Sequence, residues 1–286
     1  MDEIASIQTA LKLGRQQLEA HSETASLDVR VLLAHLLHRS QAWVLGHPEH
    51  SLPEEIQQEF SDSLLRLIEG EPLPYLLGQW EFYGRSFRVT PEVLIPRPET
   101  EGLVERGLAY LSRLGHPAVM IDAGTGSGCV AITLAAEQAD LQVIATDRSL
   151  GALRIAKTNA SLHAVNDRIA WIQCDLLMGV HGRVDLILAN LPYIPSKRLD
   201  QLAVTAHEPL LALDGGALGL DLIGRLIDQL PYHLVDGGMA ILEIDHSHAQ
   251  AVRHRMEKVF PGAKVAVLPD LSQQARYIAL THTIDI

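Results

Sequence analysis

From Glu99 onward the chain repeats one pattern: a helical stretch, then a short run rich in Val, Ile and Leu that ends on a polar or acidic residue. Runs so short and so continuously apolar are buried on both faces, which calls for a mostly parallel sheet with helices packed over each side, the α/β class. The expected strands are Val119 to Asp122, Gln142 to Asp147, Ile169 to Asp175, Val184 to Asn190, Met239 to Asp245, Lys264 to Leu268 and Arg276 to Leu280. Only Pro269 to Ala275 separates the last two, too little for a crossover helix, so these strands are expected to lie antiparallel beside each other. At 286 residues the chain exceeds the usual single-domain size, and a smaller appendage is expected beside the α/β domain of residues 99–286. Residues 1–74 place Leu27, Val31, Leu32, His35 and Leu36 at helical spacing, broken at His47-Pro48 and Leu52-Pro53, which predicts a small helical bundle. Between 75 and 98, Trp80-Glu81-Phe82-Tyr83, a turn at Gly84-Arg85 and Ser86-Phe87-Arg88-Val89 predict a β-hairpin linker.

Where the first of these strands gives way to a helix stands Asp122-Ala123-Gly124-Thr125-Gly126-Ser127-Gly128. Glycines there let main chain approach a ligand closely, and the helix start offers unpaired N–H groups. A tight strand-to-helix turn would need fewer glycines, and a dinucleotide fingerprint would need glycine where Cys129 stands. The spacing of Gly124, Thr125, Gly126, Ser127 and Gly128 favours a cradle for the amino-acid end of S-adenosyl-L-methionine. Seven strands with an antiparallel last one likewise suit a methyltransferase sheet better than a dinucleotide-binding one. Asp147, ending the next strand, is expected to accept hydrogen bonds from both ribose hydroxyls, with a helix cap as its bland alternative. Asp175 is placed to meet the adenine amino group, with Leu176 against the ring, or to cap the following turn.

The chemistry is expected at Asn190-Leu191-Pro192-Tyr193. An amide nitrogen is a poor nucleophile because its lone pair is delocalised into the carbonyl. Two acceptors on its two hydrogens, the Asn190 side-chain oxygen and the Leu191 main-chain carbonyl, would orient it and oppose that delocalisation. Methyl transfer then needs alignment more than a strong base, and holding reacting atoms in line supplies effective molarities of about 10⁵ to 10⁸ M. Tyr193 is expected to pack its ring on the flat target group, near the cationic sulfonium. The bland alternative is a strand-ending Asn-x-Pro turn.

Taken together, these residues resemble the bacterial release factor glutamine methyltransferases, the PrmC/HemK family. The resemblance runs through Pro74 to Gly78, Glu81 to Gly84, Leu94-Ile95-Pro96-Arg97-Pro98-Glu99-Thr100-Glu101, the glycine loop, Asn190 with Pro192-Tyr193, Glu208-Pro209, Gly219-Leu220-Asp221 and Leu242-Glu243-Ile244. It covers nearly the whole chain, and the Ile-Pro-Arg-Pro-Glu-Thr-Glu run is its most specific part. It implies a class I S-adenosylmethionine methyltransferase fold, a seven-stranded sheet preceded by an N-terminal helical bundle and a β-hairpin linker. It also implies a substrate: the glutamine of the Gly-Gly-Gln loop in class I peptide-chain release factors, methylated on its side-chain nitrogen, with the bundle helping to hold the release factor. The glycine loop and Asp147 would bind the cofactor, and Asn190 to Tyr193 would contact both cofactor and glutamine. This chain departs from the family pattern at Leu191, where Pro is usual, at Leu176, where an aromatic is common, at His207 before Glu208-Pro209, and at Asp245 after Glu243-Ile244.

Composition removes other classes. A formal net charge of -12 repels a phosphate backbone, so no direct nucleic-acid partner is expected. No stretch is long and apolar enough for a bilayer, the first residues lack a signal-peptide pattern, and Cys129 and Cys174 are the only cysteines, which together suggest a cytoplasmic setting; a monomer is expected, though none of these features derives it. Fourteen histidines, His246 and His248 among them, show no zinc-ligand spacing, and most are expected to be solvated or capping. Arg97, between Pro96 and Pro98, either positions a carboxylate or substrate chain or makes a structural salt bridge. Phe82, Tyr83 and Phe87 are expected to pack, as are Asp270 and Arg276. Three other functions fit part of the pattern: a glutamine methyltransferase of a large-subunit ribosomal protein, a DNA adenine N6-methyltransferase, and a cofactor-binding protein without catalysis.

Overall fold

The computed structural model describes residues 5–282, which form two compact units divided at Gln79–Trp80. The first unit is helical: α1 (Ile7–Leu18), α2 (Ala25–Leu36), α3 (Gln41–Gly46), α4 (Glu54–Ile68) and α5 (Leu73–Leu77). Ser6 caps α1 and Ser40 caps α3 through side-chain oxygens that accept main-chain N–H groups. Ile7, Val29, Leu33, Phe60 and Leu64 form the centre of its core. Gly14 sits where a Cβ would lie 2.9 Å from both Phe60 and Val29, so α1 packs against that core at a residue with no side chain.

The chain passes into the second unit within β1 (Gln79–Phe82), which pairs with β2 (Arg85–Arg88) around a turn at Tyr83-Gly84, both with positive φ. The segment expected as a separate linker is therefore divided. Residues 75–78 close the bundle in α5 and its left-handed Gly78 cap, whereas Phe82 and Phe87 are buried in the core of the second unit, edge to face with centroids 6.0 Å apart. Then follow α6 (Pro98–Leu111), β3 (Val119–Ala123), α7 (Cys129–Glu137), β4 (Gln142–Asp147), α8 (Leu150–Leu162), β5 (Ile169–Gln173), β6 (Val184–Asn190), α9 (Ser196–Leu199), α10 (Asp221–His233), β7 (Leu234–Glu243), α11 (Ala249–Val259), β8 (Lys264–Pro269) and β9 (Ala275–Thr281). The seven-stranded sheet has the order β5-β4-β3-β6-β7-β9-β8, with β9 antiparallel to both its neighbours and the other pairings parallel. Hydrophobic clusters cover both faces, which is why β6 reads as an unbroken apolar run. Asp270 turns β8 into β9 by accepting N–H groups of Ser272 and Gln274 and the Arg276 guanidinium, the packing role expected of that pair. Among the described residues no helix is long and apolar enough to cross a membrane.

Candidate active site

Sheet order reverses at β3, flanked by β4 on one side and β6 on the other, and loops leaving in opposite directions open a crevice at the strands' carboxyl ends. A cavity of about 240 Å³ lies there. Its lining takes in Gly124, Thr125, Gly126, Ser127, Asp147, Asp175, Leu176, Asn190, Leu191 and Pro192; Gly128 and Tyr193 lie outside it.

The floor is main chain. Gly124 N and Thr125 N both donate to Thr146 O at 2.9 Å, and Gly128 N donates to Thr125 O at 2.8 Å. Gly124 has φ +76°, which favours glycine, and a Cβ on it would stand 2.8 Å from Leu191 Cδ2, so that side chain would have to shift. Two carboxylates face this loop. Asp122, 2% exposed, accepts Thr125 Oγ1 at 2.6 Å and Ala131 N at 3.2 Å, and burial pushes its pKa up to about 6. Asp147 accepts Gly126 N on Oδ2 at 2.9 Å and Ser149 N on Oδ1 at 2.8 Å, and burial raises its pKa against these donors. Asp147 thus starts the turn into α8 and lines the cavity at once. A ligand bringing positive charge or hydroxyl donors relieves these buried carboxylates, whereas a pyrophosphate would be repelled by them.

Strand β5 ends at Gln173, two residues before the expected boundary, because the chain leaves the ladder there. Asp175 and Leu176 therefore lie on the loop. Leu176 has φ +53°, an arrangement costing a non-glycine residue about 1–2 kcal/mol, and its buried side chain lines the cavity. Asp175 Oδ2 accepts Arg225 Nη2 at 2.5 Å, both side chains roughly half exposed.

Asn190 ends β6 in register with Glu243 of β7. Its Nδ2 donates to Thr100 Oγ1 at 2.9 Å, and the Thr100 hydroxyl donates to Glu243 Oε2 at 2.9 Å. Neither Asn190 Oδ1 nor the Leu191 carbonyl accepts a protein hydrogen bond among the described residues. The Leu191 side chain, 4% exposed, packs on Gly124. Tyr193 packs its ring against the core beneath β6 and β7; burial and the nearby Glu243 push its phenol up to about 12.

A second glycine run supports this segment. A Cβ on Gly215 would lie 2.7 Å from Pro192 O, and one on Gly219 2.2 Å from Tyr193 O, so the loop's backbone lies directly against it. Ile194 N donates to Leu213 O, and Gly215 N to Ile194 O. Gly215 and Gly216, a glycine pair just ahead of Gly219-Leu220-Asp221, are the sequence signal for this loop that lies outside the family-like motif. Above the cavity, Arg97 Nη2 donates to the buried Glu208 at 2.5 Å and Ile95 N donates to the other oxygen at 3.3 Å, so Arg97 makes the structural salt bridge while still lining the cavity. Asp245 has φ -68° and caps the turn at His246–His248. His248 stands at the N-cap position of α11 without a side-chain cap bond, buried and with Nδ1 unpartnered. Among the described residues no group of three or more His, Cys, Asp and Glu is gathered as for a metal.

Residues 9–78 match the family model described as PrmC N-terminal domain, and residues 108–211 that of the methyltransferase small domain. The chain is 40% identical over 260 residues to the release factor glutamine methyltransferase of Cereibacter sphaeroides, covering 90% of this chain and 91% of that one. It is 39% identical over 258 residues to the protein of the same name from Coxiella burnetii, covering 88% and 90%. A solved methyltransferase from Pyrococcus furiosus, 17% identical, covers 78% of this chain and 100% of its own with a TM-score of 0.52, a likeness of fold alone.

Proposed function

The chain belongs to the release factor glutamine methyltransferase family, and on that premise we propose that it transfers a methyl group from S-adenosyl-L-methionine to the side-chain nitrogen of the glutamine in the Gly-Gly-Gln loop of class I peptide-chain release factors. The residues at the cavity fit that cofactor: a glycine floor admits close main-chain approach, and buried Asp122 and Asp147 suit a cationic, hydroxyl-bearing ligand. Bound there, S-adenosyl-L-methionine supplies an electrophilic methyl group on a sulfonium sulfur. Gly124 to Ser127 would hold its amino-acid end, with Gly128 closing the turn behind them, Asp147 its ribose, and Asp175 with Leu176 its adenine.

The observation that carries this reading is the Thr100 hydrogen bond, which turns the Asn190 amide nitrogen into the protein and leaves Oδ1 for the ligand. With the Leu191 carbonyl it offers two acceptors to the two hydrogens of an amide nitrogen. They orient it and draw its lone pair away from the carbonyl. The proton leaves to water as transfer completes. Pro192 and Tyr193 hold the segment against the Gly215–Gly219 loop. Leu191 in place of the usual Pro keeps the carbonyl, so activity survives. The helical unit holds the release factor, and the enzyme acts as a cytoplasmic monomer on protein rather than on nucleic acid.

The experiment incubates the purified protein with methyl-labelled S-adenosyl-L-methionine and, separately, a class I release factor, a large-subunit ribosomal fraction and duplex DNA, and locates label by mass spectrometry. Label on the Gly-Gly-Gln glutamine is expected. Label only on a ribosomal glutamine or on adenine would move the assignment to those substrates, and cofactor binding with no label anywhere would leave a non-catalytic protein.

A further inference from the structure

We propose that Glu243 and Thr100 are positioning residues for methyl transfer: together they fix which way round the Asn190 amide sits, and so whether the substrate meets an acceptor or a donor. The proposal rests on the function assigned above and adds a residue pair to it.

The amide of an asparagine fits its site in two orientations related by a half-turn, because its last torsion is broad and two-fold. The wrong orientation would set an NH₂ group against the NH₂ group of the substrate. The surroundings must choose, and here the choice is made at the far end of a chain of three residues. An ionised carboxylate only accepts, so Glu243 takes the single hydrogen of the Thr100 hydroxyl. Thr100 then has only a lone pair to offer Asn190, which answers with Nδ2–H. Thr100 is 3% exposed and Glu243 1%, so bulk water is kept from replacing either link. The parts come from separate elements: Thr100 from the first turn of α6, Glu243 from the end of β7, Asn190 from the end of β6.

A protonated Glu243 gains a hydrogen of its own. It can then donate to Thr100, which in turn can donate to Oδ1 of a reversed Asn190, and the two orientations approach equal energy. Burial lifts the Glu243 carboxyl to about 7, while the Thr100 hydroxyl, Arg276 and the Asn190 amide itself pull it down, so Glu243 favours the same amide orientation directly as well as through Thr100. The charged and titratable groups facing it are Glu99 on α6, Cys129 on α7, Arg276 and Tyr277 on β9, and the Tyr193 phenol after β6, of which only Arg276 is positive. The favoured orientation is therefore complete above that pH and eroded below it, so kcat should rise as pH climbs through about 7.

The test uses T100V, T100S and E243Q in the full chain. T100V should lower kcat on the order of 10- to 100-fold, with cofactor Kd by calorimetry within about twofold of wild type and T100S within about threefold of wild-type kcat. E243Q should be slow and lack the rise of kcat near neutral pH. A second measurement needs no turnover: the Asn190 side-chain NH₂ resonances of cofactor-free wild-type protein should titrate near pH 7 and stop doing so in E243Q. T100V at wild-type rate, T100S falling with T100V, or Asn190 resonances that ignore pH would each overturn the proposal. Wild-type protein that methylates no amide would instead overturn the assigned function, and the resonances would still decide the orientation.

Discussion

The carboxyl ends of β3 and β4 and that of β6 border one cavity but are held by different means. At β3 and β4 the bonds are short in sequence and mostly main chain: Gly124 and Thr125 N–H groups on Thr146 O, and Gly126 N on Asp147, 21 residues away. At β6 the decisive bonds join side chains far apart, Asn190 to Thr100 across 90 residues and Thr100 to Glu243 across 143. The first arrangement shapes a floor that admits a ligand and disfavours a Cβ. The second aims a single oxygen. The difference teaches that this fold separates holding from aiming, and each should fail separately.

The hardest break is Asn190→Ala. Losing one aimed acceptor should lower kcat by about 10²- to 10³-fold, the loss typical of one preorganised hydrogen-bonding group, while cofactor Kd by calorimetry stays within about twofold; cofactor binding lost in parallel would erase the separation. The glycine pair comes next. Gly124→Ala and Gly219→Ala each put a side chain at positive φ, and Gly219→Ala adds a clash with backbone, costing about 1–3 kcal/mol of stability in urea unfolding. Their functional effects should diverge: Gly124→Ala weakens cofactor binding, whereas Gly219→Ala pushes on Tyr193 O and lowers kcat.

A smaller effect comes from pH. Burial raises Asp122 to about 6 in the free protein, so below that pH a cationic cofactor must displace a proton to bind. Affinity should level off above pH 6 and fall by up to about tenfold per unit below it, a dependence that Asp122→Asn removes; calorimetry across the range checks both. Smallest of all is Arg225→Ala. Its pair with Asp175 is half exposed, and exposed pairs contribute about 0–1 kcal/mol, so stability and kcat should barely move.

The same contrast explains what the sequence made legible. The seven strands and the antiparallel last pair follow from apolar runs and a short connection, and the glycine floor follows from a contiguous motif. The boundary at Gln79–Trp80 was less visible, because the burial of Phe82 and Phe87 in the second unit leaves no mark in the hairpin's own pattern. The end of β5 is hidden for a related reason: Asp175 looks like a strand's end, but the ladder stops at Gln173, where its partner β4 ends at Asp147. The aiming bonds were illegible. Thr100 lay inside a motif noted for its specificity, and nothing local says that its hydroxyl bridges two strands. Tyr193, expected against the target group by its chemistry, is partly buried and also packs on the cluster around β6 and β7, a contact that its motif alone does not show. The burial of His248 likewise arises from elements brought together only in the fold.

The central claim is that the oxygen aimed by β6 receives a side-chain amide. The most direct measurement compares methyl incorporation into a release factor with that into the same factor carrying Glu in place of the Gly-Gly-Gln glutamine, by intact mass. The account predicts one methyl group on the first and none on the second. Equal incorporation into both would contradict it.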